Sequence, residues 1–153
     1  VIETVKKLRW TPDIILCSGW LSALAPLYLK RVFNDEPFFA HSKIVLMLDN
    51  NEYERPFPTR FTEKLRIEGI TNTDVRGIDG FPVGYEELMR LAVDFSDAIV
   101  YATPKVNQRV ANYVETKGKP ILPFEQTETP VEASKRLWDF CQTILAKETE
   151  ENE

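Results

Sequence analysis

Pro12-Asp13-Ile14-Ile15-Leu16-Cys17-Ser18-Gly19-Trp20-Leu21-Ser22-Ala23-Leu24-Ala25-Pro26-Leu27-Tyr28-Leu29-Lys30 decides the fold. Ile14 to Ser18 is a continuous apolar run that stops on Ser-Gly. It is too short for a helix and does not alternate, so it predicts a strand buried on both faces. Trp20 to Phe33 is apolar around most of its circumference and predicts a largely buried helix, kinked or restarted at Pro26. A buried strand feeding a buried helix is the beginning of a parallel α/β unit.

The pattern repeats in both directions along the chain. Val1, Val5 and Leu8 stripe a short helix that must stop before Pro12. Lys43 to Asp49 is a second buried-strand pattern, after a loop over 34–42. Thr59 is placed to cap a helix reaching about Glu68, with Gly69 as its stop. Thr71 to Gly84 is irregular, and Tyr85, Leu88, Leu91, Ala92 and Phe95 then recur at helical spacing. Ala98 to Ala102 is a third strand. Pro104 opens a helix that Gly118 ends. Pro120 to Phe124 is a fourth strand, pushed to a sheet edge by its prolines. Pro130 starts the last helix, striped by Val131, Leu137, Trp138, Cys141 and Ile144. Strands alternating with helices predict an α/β domain: a Rossmann-like parallel sheet with helices on both faces and right-handed crossovers.

The 153 residues suit one domain, assigned to residues 1–146. Residues 147–153 hold four Glu against one Lys, and so three of the five net negative charges; they read as a disordered acidic tail. No basic stripe is present, so no nucleic-acid partner is expected. No apolar run approaches a membrane span. Cys17 and Cys141 sit in apolar stretches as free, buried thiols, and a reduced cytoplasmic setting follows. The chain opens on Val1-Ile2-Glu3 without an initiator Met or a signal peptide, which suggests a truncated product.

In parallel sheets ligands bind beyond the carboxyl ends of the strands. That rule selects Ser18-Gly19-Trp20, Asp49-Asn50-Asn51 and Thr103-Pro104 as one rim. Each has a plain structural alternative: a tight turn, a loop whose Asp and Asn cap backbone groups, and an ordinary start to a helix. No Gly-x-Gly-x-x-Gly loop, Walker loop or Gly-x-Ser-x-Gly elbow occurs. His41, the one histidine, falls in a loop without metal-ligand spacing, so no metal site and no Ser–His hydrolase is expected. Asp49 after an apolar strand also fits a receiver-domain phosphoacceptor, but the acidic pair and the lysine such a site needs are not placed for it.

The rim segments resemble the glycogen/starch synthase family. Pro12 to Lys30 is similar to that family's Pro-Asp, apolar strand, His-x-His-Asp-Trp-His, x-x-Leu-Ala-Pro-x-Tyr-Leu segment. Lys43 to Asn50, followed by Tyr53, Phe57 and Pro58, resembles its strand ending Thr-Ile-His-Asn, and Phe95 to Pro104 its Ala-Asp, strand, Val-Ser-Pro segment. The resemblance covers roughly Val1 to Phe124 and is closest to short stand-alone members carrying only an N-terminal domain. It implies part of a GT-B N-terminal domain, α-glucan as a partner and ADP-glucose as the family's substrate, with no cofactor. Against the family pattern Ser18, Gly19, Leu21 and Asp49 replace His, Asp, His and His, while Trp20 and Asn50 are kept. The Lys-x-Gly-Gly loop and the C-terminal domain are absent.

The resemblance therefore names no catalytic residue here, and Ser18, Gly19, Trp20, Asp49, Asn50 and Thr103 are candidates for binding only. Three functions follow as expectations: a non-catalytic domain that binds or assembles in α-glucan metabolism, part of an active ADP-glucose-dependent glucosyltransferase extending α-glucan, or a purely structural interaction module. If the family's first strands are missing, the strand at Ile14 has an open edge. The chain is then expected to stay bound to its missing N-terminal segment or to self-associate.

Overall fold

The computed structural model describes residues 2–151, and side chains as far as Ala146. The elements are α1 (Ile2–Lys7), β1 (Ile14–Ser18), α2 (Ala25–Arg31), β2 (Lys43–Leu48), α3 (Arg60–Leu65), α4 (Tyr85–Phe95), β3 (Ala98–Tyr101), α5 (Gln108–Glu115), β4 (Ile121–Leu122) and α6 (Pro130–Glu151). Their order is the order that the apolar pattern predicts. The strands form one parallel sheet, β1-β2-β3-β4.

The monotonic strand order fixes the layers. Each right-handed crossover in such a sheet carries its helix to the same face. Accordingly Ile15, Cys17, Ile44, Leu46, Leu48 and Ile99 pack under α1 to α5 in the main core. The opposite face carries Ile14, Val45, Met47, Ala98, Val100 and Leu122, and α6 covers it with Leu137, Phe140 and Ile144. Both faces are covered, as a parallel sheet requires, but unequally: five helices lie on one side and one on the other.

The details correct several expectations. β1 is not buried on both faces: only Cys17 is fully buried, and Leu16 is 47% exposed. The strand is an edge of the sheet, and α6 covers Ile14 but leaves Leu16 exposed. The stretch after β1 does restart at Pro26 as expected, but its first part is shorter than a helix. Trp20–Ser22 is a single 3₁₀ turn, and Pro26 sits in the first turn of a restarted α2. α3 ends at Leu65, earlier than Glu68, and Thr59 makes no side-chain cap. α5 starts at Gln108, four residues after Pro104, because Asn107 accepts hydrogen bonds from the Arg109 and Val110 amides at 3.0 and 3.2 Å. The backbone of α6 stays helical through Glu151, into the stretch read as an acidic tail, since Ala, Lys and Glu are good helix formers. Asn152 and Glu153 lie outside the described residues.

The amino ends of the strands are clamped by charge. Asp97, just ahead of β3, exchanges hydrogen bonds with β2: the Ile44 amide donates to Oδ2 at 2.7 Å, and the Asp97 amide donates to the Ile44 carbonyl at 2.7 Å. Lys30 of α2 donates to the same carboxylate at 3.0 Å. Lys119, just ahead of β4, donates to the carbonyls of Val93, Asp94 and Ser96 at 2.6–2.8 Å. These carbonyls lie at the end of α4, where intrahelical donors run out; Val93 also accepts the Ser96 amide at 3.3 Å. Burial pulls the Lys119 pKa below the ordinary lysine value, against the pull of Asp94 and Asp97. Replacing Lys119 by Met keeps the stem and removes the ammonium from the carbonyls of Val93, Asp94 and Ser96. The expected loss is about 1–3 kcal/mol of unfolding free energy, measured by urea denaturation; an unchanged midpoint would refute the clamp.

Candidate functional site

The parallel register brings the three predicted segments to one rim. Ser18 is level with Met47, and Leu48 with Tyr101. Ser18-Gly19-Trp20, Asp49-Asn50 and Thr103 therefore leave the carboxyl ends of three adjacent strands side by side. The Gly19 amide donates to the Met47 carbonyl at 3.1 Å, and the Ala102 amide to the Leu48 carbonyl at 2.8 Å, so the sheet extends a residue past each strand.

Gly19 and Asp49 are fitted to each other. Gly19 has φ 62° and ψ −176°, a region open essentially to glycine alone. A Cβ there would lie 2.9 Å from Asp49 Oδ2. The Asp49 carboxylate thus occupies the space that a side chain at position 19 would need. Its other oxygen, Oδ1, accepts the Asn51 amide at 3.0 Å, an Asx turn opening the loop.

The remaining rim groups are also turned inward on the backbone. Thr103 Oγ1 donates to the Lys105 carbonyl at 2.9 Å. Ser22 Oγ donates to the Ser18 carbonyl at 2.9 Å, which closes the turn after β1. Ser18 and Asn50 are exposed, and Gly19 is buried. The rim is brought together as predicted, yet Asp49 and Thr103 serve its own loops.

The resemblance already touched Tyr53 and Phe57; the structure shows what they build. Trp20 packs on Tyr53 with ring centroids 5.0 Å apart and lies 6.5 Å from Phe57. Tyr53 continues to Phe57 at 5.1 Å and Tyr85 at 6.0 Å, and Phe57 stacks on Phe61 at 4.6 Å. Trp20, Tyr53, Phe57 and Phe61 are half-buried, while Tyr85 is buried. This aromatic tier stands beside Asp49. Sequence reasoning missed Tyr85 and Phe61 because their spacing is that of ordinary core positions on helices.

The tier is surrounded by negative charge. Burial first, then Asp49 and Glu52, push the Tyr85 phenol up to about 12. Burial, with Glu87 and Tyr85 adding to it, raises Tyr53 well above the ordinary phenol value. Tyr53 hydroxyl donates to the Val83 carbonyl at 3.2 Å. Glu52 accepts from Asn107 Nδ2 at 3.0 Å, tying the loop after β2 to the start of α5. Nearby cations are Lys105, in the loop after Thr103, and Arg109, held 3.3 Å from Glu86. Cys17 lies under the rim, its thiol pushed up to about 11 by burial. Among the described residues no cluster of His, Cys, Asp or Glu could hold a metal ion, and no helix is long and apolar enough to cross a membrane.

A model of the starch synthase catalytic domain family matches residues 1–118, which leaves β4 and α6 beyond the match. The glycogen synthase of Thermotoga maritima is 31% identical over 110 residues, 71% of this chain and 22% of that protein. The glycogen synthase of Chlorobium limicola is 35% identical over 85 residues, 56% of this chain and 17% of its own length. That of Chlorobium luteolum is 41% identical over 71 residues, 46% of this chain and 14% of its length. The chain thus spans about a fifth or less of the curated relatives it matches.

Two outcomes follow from this geometry. Gly19→Ala should cost about 1–3 kcal/mol for the forbidden backbone region, and measurably less in an Asp49→Ala background, where the clash is gone. Equal costs in both backgrounds, measured by urea denaturation, would refute the fit. For Tyr85 the folded pKa lies above the unfolded value. Between roughly pH 10 and 12 the native state then holds the extra proton, and stability falls as pH rises. Tyr85→Phe should flatten that alkaline decline; an unchanged slope would count against it.

Proposed function

The chain belongs to the starch synthase catalytic domain family, and from that premise we propose that it binds α-glucan through its rim without transferring glucose. One observation carries the reading: a half-buried Trp20–Tyr53–Phe57 face stands beside Asp49 and the exposed Asn50 at the carboxyl rim of the sheet.

Glucosyl transfer from a nucleotide sugar needs positive groups held against a departing diphosphate, and one missing donor of that kind costs about 10²–10³ in rate. The six rim positions hold no Lys or Arg. Arg109 is engaged by Glu86, and Asp49 and Glu52 add negative charge that opposes a diphosphate. Leu21 cannot hydrogen-bond a sugar hydroxyl. A neutral glucan makes different demands: aromatic faces for the apolar faces of its pyranose rings and a few acceptors for its hydroxyls. Trp20, Tyr53, Asp49 and the exposed Asn50 meet those.

The test uses Trp10→Phe/Trp138→Phe chain, so that Trp20 is the fluorescent reporter. Titration with maltooligosaccharide should give a saturable change with a dissociation constant of order 1 mM, about −4 kcal/mol, and ADP-glucose should give none. Asp49→Ala should weaken the glucan response. A response to ADP-glucose accompanied by ADP release would overturn the proposal in favour of an active glucosyltransferase. Silence towards both ligands would overturn it in favour of a purely structural module.

A further inference from the structure

The loops of the rim are stitched to one another by side chains. Gly19 leaves room for Asp49, which joins the loops after β1 and β2. The loop after β2 is joined in turn to the start of α5, where Asn107 Nδ2 donates to Glu52 Oε2 at 3.0 Å. This second stitch lies next to the aromatic tier, because Glu52 immediately precedes Tyr53. Residues 50–56 form no helix, strand or hydrogen-bonded turn, so regular backbone bonding does not set the path of this loop. Asp49 Oδ1 accepts the Asn51 amide, Tyr53 hydroxyl donates to the Val83 carbonyl, and Phe57 exchanges backbone hydrogen bonds with Val83 at 2.9 Å. The Glu52 contact ties the same loop to the segment that follows β3.

Asn107 does two things at once, and chemistry fixes which atom does which. Its Oδ1 accepts the amides of Arg109 and Val110 at 3.0 and 3.2 Å, capping α5. Only the oxygen of a carboxamide can accept those hydrogens, so the NH₂ group is left to donate, and the Glu52 carboxylate meets it. Aspartate would cap α5 equally well, but it has no hydrogen to give to Glu52. The cap alone therefore does not explain this side chain; cap and tether together do.

We propose that Asn107 is a positioning residue for the glucan site, acting through Glu52 to keep Tyr53 packed on Trp20. This role rests on the glucan-binding reading above and adds to it a residue outside the rim positions. Tyr53 presents its ring beside Trp20 only while the loop keeps one path, and the ring centroids are then 5.0 Å apart. Without the tether the loop spends part of its time elsewhere, and the apparent affinity falls in proportion to the fraction that stays competent. Glu52 is exposed and Asn107 half-buried. A contact so close to solvent shifts such an equilibrium by about two- to fivefold, enough to tune binding and too little to decide the fold.

The experiment starts from the chain carrying Trp10→Phe and Trp138→Phe and adds Asn107→Asp, which keeps the cap, removes the donor and sets a second carboxylate against Glu52. Maltooligosaccharide should bind about two- to fivefold more weakly. The nuclear Overhauser contact between the Trp20 and Tyr53 rings should weaken without ligand. Exchange protection of the Val110 amide and the urea midpoint should stay at parent values. Glu52→Ala, which leaves the cap of α5 untouched, should weaken affinity and ring contact alike. Adding Glu52→Gln to Asn107→Asp turns an amide donor towards the new carboxylate and should restore both. Adding Glu54→Gln instead, at an exposed position of the same loop, restores the net charge without the contact and should restore neither. Parent-like affinity and ring contact in Asn107→Asp would overturn the proposal. So would rescue by Glu54→Gln, which makes the effect one of charge alone, or lost Val110 protection with an unaffected Glu52→Ala, which makes it one of capping. If the parent chain binds no maltooligosaccharide, the glucan reading fails, and the ring contact, read without ligand, still decides the tether.

Discussion

Everything in this molecule follows from a parallel sheet whose strands are added in one direction. Parallel strands need both faces covered. Handedness sends each crossover helix to the same side when the order is β1-β2-β3-β4. Five helices therefore crowd one face, and a single helix returns from β4 to cover the other. The unequal cover explains why the main core holds most of the buried residues and why the second core is built on Val45, Ala98, Val100 and Ile144. It also explains why Leu16, at the first strand and on the thinner side, is left half in solvent.

The two ends of the sheet have divided their work. At the amino ends, Asp97, Lys30 and Lys119 spend their charge on backbone groups and on each other, fixing α2, α4, β2 and β3 in register. At the carboxyl ends Asp49, Thr103 and Ser22 hold their own turns, and Glu52 ties the loop after β2 to the start of α5. The Gly19–Asp49 contact is the one place there where two strands are matched through a side chain. A glycine in a region closed to other residues leaves room for a carboxylate delivered from the neighbouring strand. The rim is thus braced where β1 and β2 leave the sheet.

The family assignment and the rim describe the same situation from two sides. The scaffold that positions three strand ends and a tryptophan beside them is shared with glycogen synthases. On this chain that rim carries an aromatic tier, Trp20, Tyr53 and Phe57, beside Asp49.

Element type and order could be read from the sequence, because apolar runs and helical stripes report local periods. Val45, Leu46 and Ile99 can only be buried strand, and Leu88, Leu91 and Ala92 only a helix face. The rim could be read too, since the carboxyl ends of parallel strands must lie on one side. Boundaries were less legible: Pro104 looks like a helix start, but Asn107 wins because its side chain satisfies two amides that proline cannot reach. The two end strands were expected at edges, but the full order β1-β2-β3-β4 is set by long-range packing of helices on the sheet, which no local pattern contains. Nor could such a pattern show that Asp49 fills the space above Gly19, or that Tyr85 and Phe61 join Trp20 and Tyr53. Those contacts exist only once distant segments are folded against each other.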